Sequence, residues 1–219
     1  MKIHIVFDLD GTLTDTQKIH QQLEADFLKK KWIFIDPQSI GIRYAGRTPQ
    51  ERILEVLTEG EIDFTQEEVE AFVEGKDNTI ISLLEKGEIE LMPHTYETLQ
   101  YLHRKNYRIW LSSGACREFI DRFISHFGFE EIILASTSAN EVEKKKPHPD
   151  VFLSSFSQLE NFHGTPESTY VVGDGRSDME WGHKSWATTV WLNYFKKPKK
   201  NDTYCNFEIE SLKDLQNIL

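Results

Sequence analysis

Four short stretches of this chain hold residues whose types and spacing could do chemistry. The first is VFDLDGTLTD, residues 6–15, where an apolar run meets Asp8, Asp10 and Asp15. The second is IWLSSG, which ends in Ser112, Ser113 and Gly114. The third is KKPHPD, with Lys146 directly before Pro147, and the fourth is VVGDGRSD, with Asp174, Gly175 and Asp178. Carboxylates crowded at the end of a buried strand repel one another and lose hydration. A hard divalent cation removes that penalty, and Mg²⁺ prefers oxygen ligands. A phosphoryl group would complete such a site. Lys146 and the Ser112 hydroxyl would neutralise and hydrogen-bond its oxygens, helped by backbone N–H groups of Leu9, Asp10, Ser113 and Gly114.

Asp8 and Asp10 are separated by one residue, so their side chains point in different directions and can take different roles. Asp8, held ionised by a metal and by Lys146, is placed to attack phosphorus and form an aspartyl-phosphate. Asp10 is the proton carrier. It would protonate the leaving alkoxide and then activate the water that hydrolyses the intermediate. Asp15 falls where a helix begins and is expected to be its N-cap.

The elements that must position these groups follow from hydropathy. Ile3 to Phe7 is near-continuously apolar, as expected for a strand covered on both faces. From about Gln17 to Gly87 apolar residues recur at three-to-four spacing, which predicts helices, with Pro49 in a first turn and a capping box at Thr65 and Glu68. Alternation then begins. Helices over about Thr95–Lys105, Arg117–His126, a stretch after Pro149 and one from about Asp178 precede YRIWLSS, EIILAS, TYVVGD and TTVWLN. Such units imply an α/β fold, a Rossmann-like parallel sheet with a helical domain inserted after the first strand. The expected division is residues 1–15 with 88–219 as core and 16–87 as insert. YFKKPKKNDTYCN is expected to be a polar surface segment before a last short helix, SLKDLQNIL. Ligands bind such sheets beyond the carboxyl ends of the strands, which is where the four stretches end.

The net charge of −11 argues against nonspecific binding to nucleic acid. Two cysteines, Cys116 and Cys205, make no disulfide framework, and the expectation is two reduced thiols. No apolar stretch is long enough to span a bilayer, and the N-terminal residues lack a signal-peptide pattern, so no membrane partner is expected and the cytoplasm is the expected compartment. Nothing in the pattern points to an oligomeric state.

Together, and in this order, DLDGTLTD, IWLSSG, KKPHPD and VVGDGRSD resemble the four motifs of the haloacid dehalogenase-like hydrolase superfamily, and the helical insert resembles its small cap domain. The resemblance implies a Mg²⁺-dependent phosphatase acting on a small phosphorylated metabolite. Asp8 would be nucleophile and Asp10 acid/base, and Ser112, Ser113 and Lys146 would bind phosphate. Mg²⁺ would be held by the carboxylate of Asp8, the backbone carbonyl of Asp10 and the carboxylate of Asp174. Asp178 would hold a metal-bound water or support Lys146. Dehalogenases of this fold lack the second aspartate, so Asp10 favours phosphoryl transfer. The cap is expected to close over the substrate and exclude water.

Other residues have competing readings. Lys144 and Lys145 are expected in solvent. GIRYAGRT, residues 41–48, is a near-miss for a phosphate-binding loop, with arginine for lysine and no clear strand before it. Arg43, Tyr44 and Arg47 could instead contact the leaving group, or be ordinary cap residues. His20 matches a histidine of relatives of β-phosphoglucomutase, against a packing role. Trp32, Phe34, Phe64 and Phe72 are expected in the core. His94 stands where relatives carry glycine, and Trp181 and Trp186 stand where they carry small residues, with no expected effect on the chemistry. Three rivals stay open: a phosphomutase using the same residues, a receiver-like signalling domain, and a phosphate-ligand binding protein on the same scaffold. The receiver is disfavoured because its phosphorylated aspartate lies on a later strand, and the binding protein because the acids and Lys146 are intact.

Overall fold

The structure is a computed structural model. It describes residues 2–44, 48–138, 141–143, 146, 148, 168–194, 196 and 203–219. Arg47, Lys144, Lys145, the helix expected after Pro149 and much of the basic segment near residue 200 lie outside the described residues. The chain divides into two compact units, Met1–Asp15 with Glu90–Leu219, and Thr16–Ile89.

The first unit is built on a six-stranded sheet. Its strands are β1 (His4–Phe7), β2 (Arg108–Ser113), β3 (Ile133–Ser138), β4 (Thr169–Gly173), β5 (Thr188–Leu192) and β6 (Phe207–Ile209). They run parallel in the order β3-β2-β1-β4-β5-β6. β1 lies in the middle and is buried along its whole length, which is why its sequence is continuously apolar rather than alternating. Val6 pairs with Trp110 on β2 and with Val171 on β4, and the three share one core cluster. The strand order reverses between β1 and β4. A crevice for ligands opens at such a switch point, and Asp8 stands there directly after β1.

The α/β reading and its parallel sheet hold, with local corrections. β6 was not expected. It is three residues long with only Ile209 buried, too short for hydropathy alternation to register. The last short helix is present as a 3₁₀ helix, Leu212–Asn217, in keeping with a six-residue element capped by Ser211. The helix expected from Asp178 starts two residues earlier, at Arg176.

The second unit is helical: α1 (Gln17–Lys30), α2 (Pro37–Arg43), α3 (Pro49–Glu59) and α4 (Gln66–Glu85). Pro49 opens α3, and Thr65 with Glu68 forms the predicted capping box on α4. Thr48 and Glu51 form another on α3. The core gathers Leu28, Ile40, Ile53, Leu57 and Val69, with Phe64 and Phe72 against it. Trp32 and Phe34 do not join them. They are 83% and 72% exposed, because the chain turns outward past α1 with Trp32 in the left-handed region at φ 64°. Asp15 is not the cap of α1. The N-cap position is Thr16, whose helical backbone angles leave no side-chain cap bond, while the Asp15 N–H donates to the Glu90 carbonyl oxygen. The segment before GIRYAGRT is helix α2, with Pro37 at its start and Asp36 as N-cap. A phosphate-binding loop needs a strand there, so that reading is excluded.

Candidate active site

The site lies in the sheet unit, at the carboxyl ends of β1, β2 and β4. The Asp8 N–H donates to the Val172 carbonyl oxygen at 2.9 Å, so the ladder between β1 and β4 continues to Asp8 itself. The chain then folds sharply. The Leu9 carbonyl accepts from the N–H groups of Thr12, Leu13 and Thr14, and the Gly11 N–H donates to the Thr14 carbonyl at 2.8 Å. Gly11 has φ 86°, a conformation that favours glycine. This turn carries Asp10, half-buried and paired through its backbone with Thr14.

Beyond β4, Asp174 leads into the helix Arg176–Lys184. Among the described residues the unit's α-helices are α5 (Thr95–Arg104), α6 (Arg117–His126) and α7 (Arg176–Lys184). Asp178 occupies the first turn of α7, and its Oδ2 accepts from the Gly175 N–H at 3.2 Å. A Cβ on Gly173 would lie 2.5 Å from the Asp178 side chain, so only glycine lets Asp178 press against the end of β4.

Asp8, Asp174 and Asp178 are all buried, and one carboxylate oxygen from each lies within 4.8 Å of the others. Lys146 Nζ enters this cluster. It donates to Asp8 Oδ1 at 2.6 Å, Asp178 Oδ1 at 2.7 Å and the Ser112 carbonyl oxygen at 2.8 Å. An ammonium has three protons, and here each has an acceptor. Burial opposes the charge of Lys146, but Asp178 and Asp8 outweigh it and raise its pKa. Burial, followed by the charge of Asp178, pushes the Asp8 carboxyl well above its usual range, against the pull of Lys146. One lysine therefore does not neutralise the acids. Their oxygen-only donor set fits Mg²⁺. Within that set the oxygens of Asp178 already serve Lys146, Gly175 and the indole N–H of Trp181, which donates to Oδ1 at 3.3 Å.

In the turn after β1 and at the end of β2, the hydroxyls of Thr12 and Ser112 are buried with no hydrogen-bond partner among the described residues. A buried hydroxyl without a partner is costly, and a ligand oxygen would satisfy it. Ser113 differs: its Oγ accepts from the Ala115 N–H at 3.0 Å, shaping the turn after β2.

The structure thus brings together Asp8, Ser112, Lys146, Asp174 and Asp178. In the helical unit, His20 Nδ1 accepts from Lys76 Nζ at 3.0 Å. Lys76 is 4% exposed and was not predicted, though its place on the apolar stripe of Val69, Phe72 and Ile80 is a legible signal. Arg43 Nη2 donates to Glu59 Oε2 at 2.9 Å, and the Tyr44 hydroxyl donates to the same oxygen at 2.6 Å. Burial, reinforced by Glu59, raises the Tyr44 pKa to about 12. Trp181 corrects an expectation: besides donating to Asp178, its ring lies 5.6 Å from Lys146 Nζ, so this residue does touch the site.

Such a sheet, with acids and a lysine at its switch point, defines a class of Rossmann-like enzymes. Residues 5–192 match the family model for haloacid dehalogenase-like hydrolases, and the chain belongs to that family. A pyrophosphatase PpaX of Bacillus mycoides is 24% identical over 206 residues, covering 90% of this chain and 86% of that protein. The crystal structure of CbbY from Rhodobacter sphaeroides in complex with phosphate superposes with a TM-score of 0.83 at 20% identity, covering 98% of this chain and 96% of that one. β-Phosphoglucomutase from Clostridium difficile superposes with a TM-score of 0.79 at 23% identity, over 100% and 96% of the two chains. Among the described residues no helix is long and apolar enough to cross a membrane.

Proposed function

We propose that the protein is a Mg²⁺-dependent phosphatase that hydrolyses a small phosphate monoester through an aspartyl-phosphate on Asp8. The observation that carries this reading is the contact of Lys146 with Asp8 and Asp178 beside Asp174 and an unsatisfied Ser112 hydroxyl. Asp8, Asp174 and the Asp10 carbonyl would hold the metal, which supplies positive charge against the acids and the phosphoryl oxygens. The Ser112 hydroxyl and the Ser113 N–H orient the phosphoryl group by donating to its oxygens, and Lys146 offsets its charge. An Asp8 oxygen attacks phosphorus as the bond to the leaving oxygen breaks, and Asp10 gives that oxygen its proton. Asp10 then takes a proton from water. The water oxygen bonds phosphorus, the phosphorus–Asp8 bond breaks, and inorganic phosphate leaves. The helical unit is proposed as the cap that selects the substrate, with His20, Arg43 and Arg47 as its candidate contacts.

A screen for phosphate release over sugar phosphates, phosphoglycolate, glycerol phosphate, nucleoside monophosphates and pyrophosphate, run with Mg²⁺ and with chelator, tests the proposal. Release with Mg²⁺ that chelator abolishes is expected. No release from any compound would favour a binding protein. The likeness to β-phosphoglucomutase supports one second reading, a phosphomutase. Conversion of glucose 1-phosphate to the 6-phosphate without free phosphate would establish it.

A further inference from the structure

A second charged cluster sits at the carboxyl end of β3. Arg117 opens α6 and uses every N–H it has. Nε donates to Glu141 Oε1 at 2.7 Å, and Nη2 donates to Glu141 Oε2 at 2.5 Å and to the Ser136 carbonyl at 2.9 Å. Nη1 donates to Ser136 Oγ at 2.7 Å and to Asp121 Oδ1 at 3.1 Å. Glu141 Oε2 also accepts from the Ser138 N–H at 3.0 Å. Next to this, the Ser138 hydroxyl donates to the Ala115 carbonyl at 2.6 Å, while the Ala115 N–H is held by Ser113.

The two partners flank the two segments that meet the phosphoryl group in the reading above, on which this inference rests. Arg117 follows the Ser112–Gly114 turn. Glu141 stands five residues before Lys146, a distance the chain can span by at most roughly 17 Å. The helix-surface pair Arg122 and Glu118 is four residues apart, but this pair is 24 apart and joins separate segments. A two-pronged guanidinium–carboxylate contact fixes direction as well as distance. We propose that Arg117 and Glu141 form a positioning clamp that holds Lys146 against Asp8 and the Ser112 carbonyl. Without the clamp, the Lys146 ammonium leaves its acceptors more often.

The test is acylation of the folded, full-length protein with acetic anhydride in Mg²⁺, with each lysine followed by mass spectrometry. In Glu141→Gln and Arg117→Ala, modification of Lys146 should rise roughly tenfold, while Lys184 stays at its wild-type rate and Arg122→Ala changes neither. With p-nitrophenyl phosphate, kcat should fall about tenfold at a KM changed less than about twofold, and Glu141→Gln should cost nothing further in a Lys146→Ala background. Unchanged Lys146 modification in both variants overturns the clamp, and so does a parallel rise at Lys184, which would mean general loosening. If Lys146 modification rises as expected but the wild type releases no phosphate from any ester, the clamp stands and the phosphatase reading fails.

Discussion

Lys146 and Asp8 lie 138 residues apart in sequence, yet Nζ and Oδ1 are 2.6 Å apart, both largely hidden from water. The pairing ties a residue that follows β3 to the ends of β1 and β2 and to the first turn of α7. Removing the lysine leaves the buried Asp8 and Asp178 without the cation they share. Lys146→Met should destabilise the metal-free protein by about 3–5 kcal/mol, the usual result of breaking a buried pair. Turnover should drop by roughly 10²–10³-fold. Lys146→Arg should not restore it, because a planar fork cannot send three donors from one nitrogen. Urea unfolding and initial rates check both effects.

The raised pKa of Asp8 sets a pH dependence. A carboxyl whose pKa is higher folded than unfolded contributes its full stability below the unfolded value, near 3.8, and loses it as pH rises toward the folded value. In chelator, Asp8→Asn should therefore be no more stable than wild type in acid and increasingly more stable toward neutral pH. Mg²⁺ should reverse the order by stabilising only the ionised wild type, by about 2.7 kcal/mol at a hundredfold excess over its Kd. Thermal melts of both proteins from acid to neutral pH, with and without Mg²⁺, measure this.

Trp181 serves Asp178 through its N–H and Lys146 through its ring. Trp181→Phe keeps an aromatic ring and removes the donor. Stability should fall by about 1–2 kcal/mol. Activity should fall several-fold, whereas Trp186→Phe, at a site 81% exposed, should leave it unchanged. Parallel unfolding curves and rates for the two variants separate these outcomes.

His94 lies at the start of α5 with φ 66°, a left-handed conformation that costs a side chain roughly 1–2 kcal/mol. The Thr98 N–H donates to its carbonyl oxygen, a backbone bond glycine would keep. His94→Gly should stabilise the protein by about 1 kcal/mol, less than the full strain because glycine also frees the unfolded chain. Chemical denaturation checks the sign.

Much of this was legible in the sequence, for identifiable reasons. β1 is buried on both faces, so it reads as an unbroken apolar run. The groups at the strand ends have no packing reason to be acidic or hydroxylated, so Asp8, Ser112 and Asp174 stand out. Thr65 and Glu68 marked a helix start because capping is local chemistry. What depends on distant contacts was not legible. β6 exists only by pairing with β5, and Trp32 turns outward on a backbone angle its neighbours do not encode. Trp181 resembled packing because Asp178 lies on its own helix and Lys146 lies 35 residues earlier.

The most direct test of the central claim is mass spectrometry of the Asp8 peptide after acid quenching during turnover with Mg²⁺ and a substrate from the screen. The peptide should carry one phosphoryl group in the wild type and none in Asp8→Asn, which should be folded and inactive. A phosphoryl group on another residue, or wild-type turnover by Asp8→Asn, would contradict the account.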